Sequence, residues 1–370
     1  MFMHSVFNST EFASEHFFTI VPAPGKDFLS EAEALLEEYQ DRLAAFGCSS
    51  DSEFLLRFHC SDIVNQAPVL KKLLSGRPSF ISMIGQQPAE GSRAALEAWH
   101  LLPMKKNRLH EHAFSFEFRN YRFLLFEGSD PEIAGSYDQT VREFSELQSE
   151  LSQMRGNIAD HTVRTWLYCR DVDNNYAGLV HARNAFFDSI GLTAQTHFIA
   201  STGIEGISAK PDRLVTMDSL SIPGVKREQF DYLSAPEMLS PTAVYNVRFE
   251  RGTRLVFGDR SHYYISGTAS IDKSGNVLYP GDVRSQTRRM LDNIEALLHA
   301  GGGTLADLKQ ATVYMRDTAD ASVIREELEK RLPADIPMTL LKAPVCRPAW
   351  LVETETVGIN SRSGNFPPLI

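Results

Sequence analysis

A strand pattern that ends in aspartate occurs three times in this chain of 370 residues, and it constrains the fold more than any other feature. Each copy alternates apolar and polar residues before Asp62, Asp171 or Asp317, in the same phase, as a β-strand does. Apolar residues at helical spacing precede and follow each copy, which predicts two flanking helices with one buried face each. The sequence therefore predicts one strand–helix unit repeated three times.

The three copies divide the chain into predicted domains at residues 1–108, 109–223 and 224–370. This length supports more than one core, because single cores stop growing at roughly 250 to 300 residues. Hydrophobic residues make up 43% and charged residues 23%, which is typical of a soluble globular protein. We expect an α+β fold in which two helices pack on each mixed sheet and neighbouring units cover the remaining faces.

Composition excludes several classes of function. The net charge of −10 argues against nucleic-acid binding, which requires a basic surface. No apolar stretch approaches the roughly 18 residues of a membrane span, and the first residues lack the pattern of a signal peptide. Neither the histidines nor the four cysteines show metal-ligand spacing, so we expect a reduced, cytoplasmic protein without a metal or other cofactor.

The segment near the C-terminus places three chemically distinct groups close together. Cys346 and Arg347 are followed six residues later by Glu353, so a thiol, a guanidinium and a carboxyl group share one stretch that we predict to be a strand. Upstream, Gly267 lies in another predicted strand, where the absence of a side chain lets a ligand approach the backbone. These residues form the candidate site.

The third unit, with these motifs, resembles the RidA/YjgF superfamily. Such proteins are typically trimers of a unit of this kind, with pockets between neighbouring subunits. The resemblance implies that three tandem degenerate RidA-like repeats fold here into a single-chain pseudo-trimer, whose third unit carries the site. In RidA-type deaminases, an arginine fifteen positions before the glutamate binds the substrate carboxylate. That position here is Met338, which cannot form such a pair, so ordinary imine deamination is in doubt.

Within the superfamily the chain is similar to the chorismatases of the hydroxybenzoate-forming type, over roughly residues 115 to 360. The motifs that carry this similarity lie at residues 164–168, 200–204, 266–270, 280–283, 346–347 and 351–353. The resemblance implies a cofactor-independent enzyme that cleaves the enolpyruvyl ether of chorismate to pyruvate and a ring product, 3-hydroxybenzoate. Glu353 would be the general acid, kept protonated by an apolar environment.

Other predicted site residues would bind or surround the substrate. Arg347 and Arg164 would bind the two carboxylates of the substrate, and Cys346 would form a pocket wall that shapes the product. The remaining residues expected at the pocket are Gly267, Ala269 and Tyr168. Arg183 is a weaker candidate, because arginines on helices are commonly solvated.

Each assignment has a structural alternative. Glu353 can be a strand-end carboxylate paired with a base, Arg347 can belong to a surface ion pair, and Cys346 has no histidine nearby that would generate a thiolate. Two other functions stay open: an enamine or imine deaminase with a relocated arginine, and a non-catalytic ligand-binding protein. In every case we expect a small carboxylated metabolite as the ligand, and either a monomer or a homo-oligomer.

Overall fold

The computed structural model describes residues 1–10, 13–89, 91–129 and 133–370. Within these ranges the strands form three sheets, and helices cover one face of each. No helix in the described ranges combines the length and apolarity needed to cross a membrane.

The first sheet has the strand order β1-β2-β6-β3-β4. Its region of the chain contains β1 (Phe2–Thr10), β2 (Ala13–Ile20), α1 (Phe28–Ala45), β3 (Glu53–Cys60), α2 (Ile63–Leu73), β4 (Phe80–Gly85), β5 (Gln87–Pro88) and β6 (Ala94–Leu102). The short strand β5 follows β4 in the chain but belongs to the third sheet, where it pairs with the edge strand β17. The first and third units are therefore joined by backbone hydrogen bonds.

The second sheet has the order β11-β10-β12-β9-β8-β7. Its elements are β7 (Lys105–His110), β8 (Ala113–Phe118), β9 (Tyr121–Glu127), α3 (Ser136–Gln153), α4 (Ile158–His161), β10 (Thr162–Cys169), α5 (Val172–Ser189), β11 (Ala200–Glu205) and β12 (Val215–Ser221). Helix α5 connects β10 to its parallel neighbour β11, as a crossover between parallel strands requires.

The third sheet has the order β13-β14-β15-β18-β16-β17-β5. Its remaining elements are β13 (Phe230–Tyr232), β14 (Gly252–Val256), β15 (Ser261–Ala269), α6 (Val283–Ala300), β16 (Leu308–Met315), α7 (Ala321–Glu329), β17 (Met338–Lys342) and β18 (Val352–Asn360). One prediction was wrong here. The segment from Cys346 to Trp350 is a turn, and the strand begins only at Val352, because Pro348 interrupts the backbone ladder.

The same four-stranded pattern recurs in all three sheets, as β2-β6-β3-β4, β9-β12-β10-β11 and β15-β18-β16-β17. In each, the last two strands are parallel and a helix connects them. The predicted repeat and the α+β class are therefore confirmed. The strand residues Leu56, Phe58 and Cys60 pack under the helices of the first unit, and Leu167 and Cys169 do so in the second. The boundaries between the three domains stay a prediction.

Equivalent residues of the three units meet at the centre of the molecule. The side chain of Arg57 donates a hydrogen bond to Asp218 at 3.0 Å, which joins the first unit to the second. At the equivalent positions of the second and third units, Trp166 donates to Glu355 at 2.7 Å. A third contact of the same kind joins Thr312 of the third unit to Glu97 of the first at 2.8 Å. We call the six residues that form these three contacts the central ring.

The contacts of the central ring run from the first unit to the second, from the second to the third, and from the third back to the first. All six side chains are buried. Such a closed cycle is the arrangement that a single-chain pseudo-trimer predicts. Around it, apolar residues from all three sheets form one continuous core, so each sheet is covered on its second face by its neighbours.

Candidate functional site

A pocket of about 320 Å³ lies where the second unit meets the third. The second unit contributes helix α5 and strand β11, and the third contributes β15, the start of β18 and the segment 245–251. Its volume falls at the lower end of the range for small-ligand sites. The location agrees with the pockets between neighbouring units that the resemblance implies.

Glu353 occupies the floor of the pocket. It lies at the second position of β18, opposite Ala269 on β15 and Tyr314 on β16, and is 6% exposed. The ladder between β15 and β18 shifts register between Ile265 and Thr268, which is the mark of a β-bulge. Such bulges commonly re-aim side chains next to functional sites.

Gly267, inside this bulge, makes room for the carboxyl group of Glu353. A Cβ atom on residue 267 would stand 2.2 Å from Oε1 of Glu353, so no larger residue fits without displacing the carboxyl group. The amide of Gly267 donates a hydrogen bond of 2.9 Å to Oγ1 of Thr202 on β11, which ties the bulge to the second unit.

The environment of Glu353 favours the neutral form of its carboxyl group. Burial raises its pKa to about 8, and the nearby carboxylate of Glu355 adds to the rise. The guanidinium groups of Arg251 and Arg164 act in the opposite direction but do not outweigh burial. With a pKa near 8, the group is predominantly protonated at neutral pH and can donate a proton.

Three arginine side chains line the same pocket as this carboxyl group. Arg183 on α5 is 1% exposed, and its Nε and Nη2 atoms are buried without a hydrogen-bond partner among the described residues. Burying donors of a cation without partners is costly. The free donors of Arg183 therefore fit a bound anion such as a carboxylate.

The other two arginines have partial support from the protein. Arg251 donates from Nε and Nη2 to the carbonyl oxygen of Ser240, at 3.1 and 2.8 Å. Arg347 lies between two aromatic rings, 4.6 Å from the centroid of Tyr245 and 4.7 Å from that of Trp350. Its Nη1 atom donates to the carbonyl oxygen of Gly275 at 3.2 Å. The stacking orients the plane of the guanidinium group, and its remaining donors can bind a carboxylate.

Cys346 forms part of the pocket wall, which Tyr176 also lines. Burial raises the pKa of the thiol to about 12, and the charge of Glu353 contributes. A thiol of this kind is protonated at neutral pH and is a poor nucleophile. These features favour the role of a wall over that of a nucleophile.

The structure brings together five of the residues predicted for the site, namely Glu353, Arg347, Cys346, Gly267 and Ala269. Arg164 and Tyr168 do not line this pocket. They share the face of β10 that carries Trp166, and that face turns toward the central ring. The Nη2 atom of Arg164 is 2.8 Å from Glu355, and Tyr168 is 1% exposed. The placement of both at the substrate is therefore corrected.

Sequence reasoning missed Arg251 and gave too little weight to Arg183. Arg251 precedes β14 in an irregular segment, where no periodicity indicated burial. Arg183 lies on a helix and would be solvated if the second unit stood alone, but the third unit covers it. Met338, at the position of the deaminase arginine, is buried in β17 and lies outside the pocket lining.

The site has no counterpart at the equivalent positions of the other units. Glu353 pairs with Tyr314, and the corresponding pairs are Thr216 with Tyr168 and Ala95 with His59. Neither threonine nor alanine is a carboxylic acid. Only the third unit therefore supplies a proton donor at this place in its sheet.

Comparison with known proteins agrees with this architecture. Residues 255–359 match the family model described as endoribonuclease L-PSP. A chorismatase structure superposes with a TM-score of 0.63 over 83% of this chain and 93% of its own, at 21% sequence identity. This similarity shows a common fold, and the predicted resemblance to the RidA/YjgF superfamily and its chorismatases is confirmed at that level.

Smaller proteins match one part of the chain. RidA from an Antarctic Psychrobacter covers 35% of this chain and 98% of its own, with 21% identity and a TM-score of 0.30. A Thermotoga maritima protein described as a putative endoribonuclease covers 36% of this chain and 98% of its own, with 18% identity and a TM-score of 0.30.

Proposed function

We propose that this chain, which has the fold of a chorismatase and carries an endoribonuclease L-PSP domain at residues 255–359, cleaves the enolpyruvyl ether of chorismate. One observation carries the proposal. Glu353 presents a carboxyl group with a pKa raised to about 8 to a pocket that is also lined by Arg183, Arg251 and Arg347. A neutral acid among several cations suits a substrate that has two carboxylates and must accept a proton.

The first chemical step is the transfer of a proton from Glu353 to the methylene carbon of the enolpyruvyl group. The electron pair of the carbon–carbon double bond forms the new C–H bond, and the positive charge is shared between the adjacent carbon and the ether oxygen. Carbon is a weak base, so the reaction needs a donor that is protonated at working pH yet gives up its proton readily. The pKa of Glu353 meets both requirements.

The oxocarbenium ion is then captured by an oxygen nucleophile, and the ether bond breaks to release pyruvate. Capture by water consumes one water molecule and yields a dihydrodiol. When the hydroxyl group on the neighbouring ring carbon captures the ion instead, it loses its proton and a cyclic ketal forms. The bond between that ring carbon and its oxygen then breaks while the ether-bearing ring carbon loses its hydrogen as a proton, which makes the ring aromatic. Collapse of the resulting hemiketal breaks the ether bond, so pyruvate leaves with the former hydroxyl oxygen, 3-hydroxybenzoate keeps the ether oxygen, and no water is consumed. The atoms of chorismate equal those of these two products.

Binding of the two carboxylates is assigned to the arginines of the pocket. Arg183 has free buried donors and Arg347 has a guanidinium group oriented by two rings, so these two residues suit one carboxylate each. Arg251 lowers the pKa of Glu353 and lies near enough to it to stabilise the carboxylate that remains after proton transfer. This assignment replaces the earlier one that involved Arg164.

Cys346 bears on the choice between the two products. Its protonated thiol and the ring of Tyr176 lie beside the reacting acid and fill space that an attacking water would otherwise occupy. Intramolecular capture is favoured where water is excluded. We therefore propose 3-hydroxybenzoate as the ring product.

The proposal is tested by incubating the purified protein with chorismate and measuring pyruvate with a coupled dehydrogenase. We expect release of pyruvate by the wild type and none above background by Glu353→Gln, which preserves size and removes the acidic proton. Chromatography of the ring product separates 3-hydroxybenzoate from the dihydrodiol. Equal pyruvate release by both proteins would contradict the assignment.

The same preparation distinguishes the two alternative functions. Release of ammonia from freshly generated 2-aminoacrylate, with chorismate untouched, would identify an enamine deaminase. Thermal stabilisation by chorismate without any turnover would identify a binding protein, because a ligand that binds only the folded state raises its stability.

A further inference from the structure

Arg164 lies immediately behind the pocket, at the contact between the second and third units. It is 2% exposed, and its guanidinium group donates hydrogen bonds to three side chains on different strands. The partners are Glu355 at 2.8 Å, Ser266 at 3.2 Å and, from the same Nη2 atom that contacts Glu355, Thr202. One side chain thus connects the central ring to the walls of the pocket.

Both hydroxyl partners of Arg164 hold backbone at the bulge beneath Glu353. Thr202 accepts the amide hydrogen of Gly267 at 2.9 Å. Ser266, the other residue of the bulge, donates its hydroxyl hydrogen to the carbonyl oxygen of Glu250 at 2.6 Å. These contacts fix the position of Gly267, on which the space for the carboxyl group depends.

We propose that Arg164 is a positioning residue for Glu353, and that it acts through the bulge at Gly267 without touching the substrate. The inference rests on the proposed function, in which Glu353 is the acid. It adds that catalysis depends on a residue of the second unit that is hydrogen-bonded to Glu355 of the central ring. The guanidinium fork supplies two separate nitrogen atoms, Nη1 for Ser266 and Nη2 for Glu355 and Thr202, whereas lysine has only one.

The pair formed by Arg164 and Glu355 also sets the electrostatic environment of Glu353. The carboxylate of Glu355 raises the pKa of Glu353, and the guanidinium of Arg164 lowers it. The other titratable or charged groups that lie opposite Glu353 in the sheet, interact with it or line its pocket are Tyr314, Arg251, Arg183, Arg347, His181, Tyr176, Tyr245 and Cys346. None of these residues is substituted in the variants below.

Three variants separate charge from positioning. Arg164→Lys keeps the positive charge but loses the fork. Glu355→Gln removes the negative neighbour. The double variant Arg164→Met with Glu355→Gln removes both charges of the buried pair, so neither charge is left without its partner. It replaces the single variant Arg164→Met if that protein does not fold.

The first readout is the protonation of Glu353 itself, followed by infrared spectroscopy of the carboxylic acid C=O band during a pH titration. Glu353→Gln identifies the band, and the method needs no turnover. We expect the midpoint to fall by on the order of one pH unit in Glu355→Gln and to return close to the wild-type value in the double variant. In Arg164→Lys the midpoint should stay near the wild-type value while the band frequency changes, because the carboxyl group has moved.

The second readout is the rate of pyruvate release. We expect kcat to fall on the order of 100-fold in Arg164→Lys and in the double variant, with little change in KM, because the acid is misplaced while the substrate-binding arginines are intact. The double variant Glu15→Gln with Arg260→Met is the matched control. It removes another fully buried ion pair, with an Nη1–Oε1 distance of 2.6 Å, outside the pocket lining.

The positioning role is overturned if Arg164→Lys retains wild-type kcat and an unchanged C=O band. It is also overturned if the Glu15/Arg260 control loses as much activity as the Arg164 variants, because the loss would then reflect general destabilisation. Failure of the proposed function gives a different result. Chorismate would then not be turned over by the wild type, whereas the infrared midpoints would still shift as stated.

Discussion

The Cα atom of Gly267 and the carboxyl group of Glu353 occupy adjoining space, such that a Cβ atom at residue 267 would stand 2.2 Å from Oε1. We expect Gly267→Ala to displace the carboxyl group and to reduce pyruvate release at least tenfold, with a loss of stability of about 1 to 3 kcal/mol from overpacking. Steady-state kinetics and urea unfolding measure the two effects. Gly358→Ala, in the same strand β18, is the control, because its nearest contacts of 3.4 Å accommodate a methyl group. Similar losses in both variants would contradict the specific contact.

Replacement of Glu353 should have opposite effects on activity and on stability at alkaline pH. Its pKa is about 8 in the folded state, against 4.5 for the unperturbed group. Between these values the folded state binds more protons than the unfolded state, so this group lowers the free energy of unfolding as pH rises from about 4.5 to 8.

Glu353→Gln removes that dependence. We expect the free energy of unfolding of the variant, relative to wild type, to increase by on the order of 4 kcal/mol between pH 5 and pH 9. Urea unfolding at the two pH values measures it, and the comparison cancels any cost of burying the amide. An unchanged difference at the two pH values would mean that Glu353 does not titrate abnormally.

The pH dependence of kcat/KM should report the same group. Because the protonated form of Glu353 is the acid, we expect activity to decline above a pH of about 8, approaching tenfold per unit. Glu143 provides a matched control, since burial also raises its pKa to about 8, but it lies on α3 outside the pocket lining. We expect Glu143→Gln to show the same decline of kcat/KM at alkaline pH as the wild type. If the decline were absent in Glu143→Gln, the titrating group would be Glu143 and not Glu353.

Arg183 should affect substrate binding more than proton transfer. We expect Arg183→Met to raise KM for chorismate on the order of 100-fold, since a charge-assisted contact to one carboxylate is lost. Arg142→Met is the control, because Arg142 is exposed, lies outside the pocket lining and pairs with Glu146 one turn away on α3. A fall in kcat with unchanged KM would instead place Arg183 in the chemical step.

Cys346 should control the product and not the rate-limiting chemistry. We expect Cys346→Ala to release pyruvate at a rate within a few-fold of wild type while dihydrodiol appears beside 3-hydroxybenzoate, because the space left by sulfur admits water. With a thiol pKa of about 12, wild-type Cys346 should also resist alkylation by iodoacetamide at pH 7. Loss of all pyruvate release would indicate a direct role of the thiol.

The repeated fold was predictable because its signal is periodic. The alternation before Asp62, Asp171 and Asp317 depends on one sheet face packing on helices, and that requirement is the same in each unit. The pocket residues near Glu353 were predictable for a similar reason, since they are adjacent in sequence or lie on the neighbouring strand β15.

The contacts between units were not predictable from local pattern. Arg164 and Arg183 are both arginines of the second unit, and sequence alone could not tell which one faces the central ring and which one the pocket. The difference arises only from how the third unit covers them. The turn at Cys346–Trp350 was missed because its apolar residues fit a strand, whereas Pro348 removes a ladder donor.

The central ring uses a different donor at each of its three contacts, namely arginine, tryptophan and threonine. In a homotrimer one substitution would alter all three inter-unit contacts at once, and its energetic cost would be tripled. In this chain different residues form each contact, so a substitution of Thr312 leaves the contact between Trp166 and Glu355, next to the pocket, intact. Two of the three junctions are thereby free to diverge while the third retains its chemistry.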